Sequence, residues 1–268
     1  MSVRHAYRVL ALFAAVILSA SLAHAQATQT KPFEPTVGQA GKDVVWVPTP
    51  QALVERMLDL AKVTPQDFLM DLGSGDGRTV ITAAKRGLRA QGVEYNPDMV
   101  ELSKRNATAA GVSDKATFVK ADLFETDFSK AQVVTMFLLP SINLRLRPKI
   151  LDMRPGTRVV SNTFTMDDWQ ADETSNVTED CTSWCTALLW IVPAKVEGTW
   201  QLPQGALTLT QKYQMVTGTL GSMPISDGRL RGDEITFTAG GAKYTGKVSG
   251  NTMSGSGGSG GKWSATRK

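Results

Sequence analysis

Residues 68–78 read Phe-Leu-Met-Asp-Leu-Gly-Ser-Gly-Asp-Gly-Arg, and they restrict the possible folds of this chain more than any other stretch. An apolar run ends on Asp71, a glycine-rich turn follows, and the turn opens straight into the helical pattern of residues 79–85. Strand, tight turn and helix in that order form the opening unit of a nucleotide-binding α/β sheet. Gly73 and Gly75 let the backbone pass close to a ligand where a Cβ would collide. Asp71 stands at the carboxyl end of the strand, where open α/β sheets take their ligands. Two further strand candidates finish the same way. Residues 90–94 end on Glu94, about twenty residues after the turn, where a ribose diol is usually held. Residues 116–122 end on Asp122. Packing alone has no need of three successive strands that each close on a carboxylate.

The motif also separates nucleotide classes. A dinucleotide fingerprint requires Gly-x-Gly-x-x-Gly, and the sixth position here is Arg78, which disfavours a nicotinamide oxidoreductase. No Gly-Lys-Ser/Thr follows, so P-loop chemistry is excluded. The pattern Asp71-x-Gly73-x-Gly75-x-Gly77 instead resembles motif I of the class I S-adenosylmethionine-dependent methyltransferases. Further segments between Trp46 and about Ser161 resemble one branch of that superfamily. They are residues 47–50 (Val-Pro-Thr-Pro), 92–96 (Gly-Val-Glu-Tyr-Asn), 121–124 (Ala-Asp-Leu-Phe), 138–140 (Leu-Leu-Pro) and 155–161 (Pro-Gly-Thr-Arg-Val-Val-Ser). That branch is the mitochondrial protein-lysine methyltransferases acting on the ATP synthase c-subunit and the adenine nucleotide translocase, with their bacterial relatives.

The resemblance implies a Rossmann-like methyltransferase sheet with helices on both faces, S-adenosylmethionine as cofactor and a protein lysine as acceptor. Asp71, Gly73 and Gly75 would cradle the methionine part, Glu94 would bind the ribose hydroxyls and Asp122 with Leu123 would face the adenine, with Ser74 and Tyr95 also among the cofactor-binding residues. The Asn/Asp-Pro-Pro-Tyr/Phe motif of enzymes that methylate planar nitrogens is absent; Leu139, Pro140 and Ser141 stand there and are expected to line a substrate channel. Methyl transfer from a sulfonium is an in-line displacement, so such an enzyme mainly positions its reactants. A lysine nucleophile must first be neutral, which at pH 7 costs about 4.6 kcal/mol from a reference pKa near 10.4. Burial in an apolar channel lowers that cost and a nearby carboxylate raises it. No side-chain base is therefore assigned.

Residues 1–25 have the grammar of a secretory signal peptide. Arg4, His5 and Arg8 make a basic start, residues 9–18 are unbroken apolar, and Ala23-His24-Ala25 offers a small-x-small cleavage site. The apolar stretch is short for a membrane anchor, which needs about 20 residues. An exported, periplasmic protein without a stable span after cleavage is the expectation; an uncleaved inner-membrane anchor is the alternative. Both histidines, His5 and His24, lie in this leader. A Ser-His-Asp triad, a histidine base and a histidine-ligated metal all fall with them. The net charge of +4 over 268 residues is too mild to imply nucleic acid.

Residues 26–43, rich in Thr, Pro, Gly and Gln, read as a linker, and residues 44–195 as the methyltransferase domain. Trp46 and Pro48 are either packing residues or a flap over the cofactor. Strands alternating with helices predict a parallel, doubly wound sheet. Residues 131–139 read as a buried strand ended by Pro140, and residues 144–153 as a helix whose Arg145, Arg147 and Lys149 form a solvated face. Cys181 and Cys185 are the only cysteines. A three-residue turn brings their Cα atoms within disulfide range, and an exported chain favours the bond. From residue 196 the pattern shifts to short alternating runs with Gly232-Asp233 and Gly250-Asn251 as turn signals, predicting a small antiparallel β-barrel or sandwich with Trp200 and Trp263 in its core. Residues 254–261 read as a flexible glycine-serine loop.

The leading reading is thus a lysine-directed methyltransferase carrying a C-terminal β-module. The alternative is an exported non-catalytic protein that holds a nucleoside-like ligand, with the β-module contacting an envelope partner. Oligomeric state is not encoded in any feature of the chain.

Overall fold

Pro97 fixes the first turn of a helix, and Asn96 before it accepts a hydrogen bond from the Asp98 N–H at 2.9 Å, so the helix Pro97–Ala109 starts where its sequence signals place it. Gly111, at φ 70°, ends it. The same local logic builds the other elements in a computed structural model that describes residues 32–203, 205–258 and 261–268. In order they are α1 (Gln51–Leu60), β1 (Phe68–Leu72), α2 (Arg78–Lys85), β2 (Arg89–Glu94), α3 (Pro97–Ala109), β3 (Ala116–Lys120), β4 (Val133–Met136), α4 (Pro140–Leu151), β5 (Arg158–Asn162), β6 (Glu173–Asn176) and β7 (Thr186–Ile191). The signal segment 1–25, with His5 and His24, lies outside the described residues. Among the described residues, no helix is long and apolar enough to cross a membrane.

These strands form one sheet in the order β3-β2-β1-β4-β5-β7-β6. β1 to β5 are parallel, but β7 runs antiparallel to both β5 and β6. The parallel sheet expected from alternating strands and helices is present in β1 to β5, and β7 with β6 adds an antiparallel edge. Residues 163–172 form no helix, and β6 and β7 are joined as a hairpin, a connection that permits only antiparallel pairing. Both faces are covered. α1, α2 and α3 pack Leu53, Leu58, Val80 and Val100 on one face; α4 packs Leu146 and Ile150 with Trp169 and Trp190 on the other.

Two local expectations also change. Pro140 does not close a strand that runs to Leu139: β4 ends at Met136 and Pro140 opens α4, since proline suits a helical first turn as well as a strand end. The cations of α4 are not merely solvated. Arg147 donates to the Met166 carbonyl at 2.9 Å and to Asp168 at 2.7 Å, Lys149 donates to the Thr126 carbonyl at 2.5 Å, and the Arg145 guanidinium lies 3.6 Å from the Phe124 ring centre.

The remaining strands, β8 (Gly198–Leu202), β9 (Gly205–Lys212), β10 (Met215–Leu220), β11 (Met223–Arg231), β12 (Glu234–Ala239), β13 (Ala242–Ser249), β14 (Thr252–Gly257) and β15 (Gly261–Arg267), close into an antiparallel barrel, β15 pairing with β8. Trp200 and Trp263 are buried in its core with Phe237 and Leu207. The glycine-serine run is not a loop up to residue 257. Residues 254–257 lie in β14, and a Cβ at Gly257 would run into the Tyr244 ring, as one at Gly246 would into Trp263. Glycine there makes room for aromatic rings from other strands. Residues 259–260 are outside the described set.

The barrel is bolted to the β6–β7 edge. Asp172, its carboxylate fully buried, accepts from Arg229 at 2.7 Å and from the Ile191 N–H at 2.8 Å; Tyr213 stacks on Trp169 at 5.6 Å.

Candidate functional site

One pocket runs along the carboxyl edge of the sheet, and its two ends differ in chemistry. At the β3-β2-β1 end the lining is acidic: Asp71, Asp76, Glu94 and Asp122. At the β4-β5-β7-β6 end it is apolar: Phe137 and Leu139 after β4, Phe164 after β5, and Trp184 from the β6–β7 turn. Topology produces this division, because parallel strands deliver all their carboxyl ends to one rim.

The acidic end is built on the glycine turn. Gly73, Gly75 and Gly77 all have positive φ, and the Gly73 and Ser74 N–H groups donate to the Val93 carbonyl at 2.9 and 3.0 Å. α3 fixes the far side of the turn: Ser103 donates to the Gly75 carbonyl at 2.8 Å, and Asn106 to that of Asp76 at 3.0 Å. Glu94 receives the Gly75 N–H at 3.0 Å on one oxygen and the Asn96 N–H at 2.9 Å on the other. Each oxygen keeps a lone pair, enough for a vicinal diol. Asp71 is buried and accepts from the Thr135 hydroxyl at 2.6 Å. Burial pushes its carboxyl up to about 7, the Thr135 bond opposes this, and the Glu94 and Asp76 charges add to it. Asp122 lies two residues beyond the end of β3 and pairs with Lys42; that bond, with the Phe124 N–H, holds its carboxyl below the usual range. Leu123 lines the pocket beside it, and Tyr95 is half exposed with Lys42 4.8 Å from its ring centre.

A strap covers this end. Residues 39–49 line the pocket, so the last part of the segment expected to be a linker is part of its wall. Trp46 exchanges hydrogen bonds with Gly38 and Gln39, and its indole nitrogen sits 2.6 Å from where a Cβ on Gly75 would be. Trp46 thus packs against the glycine turn.

At the apolar end, the Phe164 N–H donates to the Asn162 carbonyl at 2.6 Å over Thr163, which is held at φ 58°. A β-branched residue at positive φ is strained by roughly 1–3 kcal/mol. Asn143 and Ser161 pin the turn through the Phe164 carbonyl at 3.2 and 2.7 Å. Phe137 lies 5.8 Å from Phe164 and 6.0 Å from Trp184, ring centre to ring centre. Cys181 and Cys185 are disulfide-bonded with Cα atoms 5.8 Å apart, and the loop they close carries Trp184. Leu139 lines the pocket; Pro140 and Ser141 are exposed on the first turn of α4 and are not among its lining residues. The sequence reading missed Phe164 and Trp184. For Trp184 a signal existed: a tryptophan enclosed by two bonded cysteines in a three-residue turn cannot reach a core.

The acidic end fits an aminoacyl nucleoside. The Ser74 hydroxyl is buried, lines the pocket and has no protein partner, and Gly73 leaves a gap in which a Cβ would come 3.1 Å from Leu138. Among the described residues no cluster of His, Cys, Asp and Glu has the arrangement of a metal site.

Comparison with known proteins agrees with this geometry. The profile of the ANTKMT methyltransferase domain matches residues 71–173, ending before the barrel. A protein-lysine N-methyltransferase of Saccharolobus islandicus is 44% identical over 152 residues, which cover 56% of this chain and 94% of that protein. The lysine N-methyltransferase of the ATP synthase c-subunit in Mus musculus is 40% identical over 108 residues, 40% of this chain and 44% of its own length. This chain therefore spans less than half of the mouse relative. Among solved structures, an RNA methyltransferase from Salinibacter ruber in complex with S-adenosyl-L-homocysteine is 46% identical with a TM-score of 0.53, covering 56% of this chain and 96% of its own.

Proposed function

Given that this chain belongs to the S-adenosylmethionine-dependent methyltransferase family marked by the ANTKMT domain, we propose that it methylates the ε-amine of a lysine in a protein. The observation that carries this reading is the uncharged far end of the pocket, where Phe137, Leu138, Leu139, Ile142, Phe164 and Trp184 line the wall without an ionisable group.

When bound, S-adenosylmethionine supplies an electrophilic methyl group on sulfur. In this proposal Asp71, Gly73, Ser74 and Gly75 hold its aminoacyl part, Glu94 and Tyr95 its ribose, and Asp122 with Leu123 its adenine. Asp122 keeps its pair with Lys42 while it faces the adenine. The acceptor lysine enters along the aromatic end. There the charged ammonium loses hydration without gaining a carboxylate, so the neutral, nucleophilic amine is favoured. The chain's part is to desolvate and align; the proton leaves to water at the mouth before attack.

The Salinibacter relative raises RNA as a second acceptor. The cations lining the pocket weigh against it: Lys42 is paired with Asp122, and Arg78 with Asp76 and the Thr49 carbonyl, so neither is free for phosphate. We further propose that the enzyme acts after export, which the basic, apolar and Ala-His-Ala order of residues 1–25 and the Cys181–Cys185 bond support.

The deciding experiment adds methyl-labelled S-adenosylmethionine and the purified protein to an extract of its own cells lacking the gene. Label recovered as methyl-lysine after protein hydrolysis is expected. Label confined to an RNA digest would overturn the lysine reading. Replacing Glu94→Gln and Asp122→Asn together is expected to weaken S-adenosyl-homocysteine binding by more than about tenfold; unchanged affinity would refute the cofactor assignment. N-terminal sequencing of the native protein tests export, with a start at Gln26 expected.

A further inference from the structure

Trp184 has an unusual combination of properties. It is a large apolar residue, 41% exposed, in a left-handed backbone conformation at φ 53°. Bulky side chains avoid that region, so something holds it there. The disulfide between Cys181 and Cys185 does so, closing a loop of Thr182, Ser183 and Trp184, and the Val177 N–H ties Cys185 back to the hairpin at 2.9 Å. The result is a tryptophan held over the mouth of the pocket, its ring centre 6.0 Å from Phe137.

Its surroundings give it a task. Among the described residues, Val45, Tyr95, Leu139 and Trp184 are large exposed apolar side chains that border this pocket, while Val37, Met215 and Met223 are exposed elsewhere. Exposed apolar groups gathered around a cleft mark a surface that receives a partner. Phe137 lies too close to Phe164 and to Trp184 for a cation to sit between the rings, so the aromatics form a wall rather than a cage. A wall of this kind suits the four-carbon stem of a lysine and strips water from its amine.

We propose that Trp184 is the residue that grips and orients the acceptor side chain, and that the Cys181–Cys185 disulfide sets its position, making acceptor recognition redox-dependent. This rests on the reading that the acceptor is a protein lysine. Reduction by dithiothreitol transfers two electrons and two protons: both cysteines become thiols, and the reagent closes to its cyclic disulfide. The freed loop relaxes the backbone at Trp184 and withdraws the ring from Phe137. The cofactor end, built on β1 and β2, is untouched.

The test compares wild type, Trp184→Ala, Trp184→Phe and Cys181→Ser with Cys185→Ser in the labelled-extract assay across a range of extract concentrations, alongside calorimetry with S-adenosyl-homocysteine. Trp184→Ala is expected to raise the half-saturating acceptor concentration about tenfold, with the plateau rate within about threefold and the homocysteine ligand bound as by wild type. Trp184→Phe should stay within about threefold of wild type, because a second aromatic ring rebuilds most of the wall. Dithiothreitol should reproduce the alanine defect in wild type and change nothing further in the double serine variant. The proposal is overturned if Trp184→Ala saturates like wild type, if its defect follows loss of ligand affinity, or if reduction leaves wild type unaltered. The acceptor reading fails separately: label in RNA refutes lysine while the ratio of variant to wild type still reports on Trp184. Absence of label from every fraction refutes both.

Discussion

Thr135 and Asp71 are register partners on the parallel strands β4 and β1, and the Thr135 hydroxyl donates to the Asp71 carboxylate across 2.6 Å. It is the one favourable influence on a charge that burial, Glu94 and Asp76 all oppose, and the carboxyl settles at about 7 against an ordinary 3.8. Between pH 4 and 7 the unfolded chain releases this proton while the folded chain keeps it. Ligand-free stability therefore falls as pH rises through that window and levels off above it. Thermal melts at pH 5, 6, 7 and 8 should show this fall, and Asp71→Asn should remove it while abolishing ligand binding. An identical pH profile in the variant would mean Asp71 does not titrate there.

Thr135→Val extends the argument to binding. With its donor gone the carboxyl titrates higher, so the pH at which ligand affinity reaches half its maximum moves up. A hydrogen bond to a charged group contributes about 1.5–3 kcal/mol, which corresponds to a loss of roughly 10–100-fold in S-adenosyl-homocysteine affinity at pH 7. Calorimetry at pH 6, 7 and 8 measures both effects.

Gly75→Ala tests the strap. The residue sits at φ 53°, and an added Cβ would lie 2.6 Å from the Trp46 indole nitrogen. The backbone cost alone is about 1–2 kcal/mol. Trp46 must move and the strap with it, so ligand affinity should drop by more than about tenfold. Adding Trp46→Ala should recover part of the melting temperature and none of the affinity, since the clash is relieved while the wall stays lost. Additive losses of stability would show that the two residues do not meet.

The site's acidic end was legible because strand, glycine turn and helix are local patterns, and the acids at 71 and 94 stand at the carboxyl ends of two of its strands. What escaped detection is tertiary. Gln39 and Lys42 sit in a stretch without apolar periodicity, and only the folded chain shows them reaching Met99 and Asp122. The Gly-Ser run of β14 has the composition of a loop, and the reason for its glycines lies on β13: a Cβ at Gly257 would meet the Tyr244 ring and one at Gly255 the Thr245 carbonyl. Pro140 satisfied two local readings at once, a strand stop and a helix start, and the helix prevailed because Ile142, Leu146 and Ile150 had a core face to bury.

Those barrel glycines yield their own prediction. Gly257→Ala forces a methyl into the Tyr244 ring, which is itself stacked on Phe237 at 4.9 Å. Overpacking of this kind costs about 1–3 kcal/mol. The expected result is a lower denaturation midpoint with S-adenosyl-homocysteine affinity unchanged, since the pocket receives no residue from β8 to β15. A matching loss of affinity would show that the barrel supports the site.

Asp172 measures that support directly. Its buried carboxylate takes Arg229 of the barrel on one oxygen and the Ile191 N–H of β7 on the other, at 2.7 and 2.8 Å. Asp172→Ala leaves the Ile191 donor without a partner and Arg229 without its counter-ion, at a cost of about 1–3 kcal/mol for the unpaired groups. Arg229→Ala removes the ion pair alone; the guanidinium is 45% exposed, so its contribution is screened and the variant should lose about 1 kcal/mol or less. If the barrel and sheet unfold as one unit, Asp172→Ala lowers a single calorimetric transition. If Asp172 is what couples them, the same change splits the transition in two, with added S-adenosyl-homocysteine raising only the peak that belongs to the sheet.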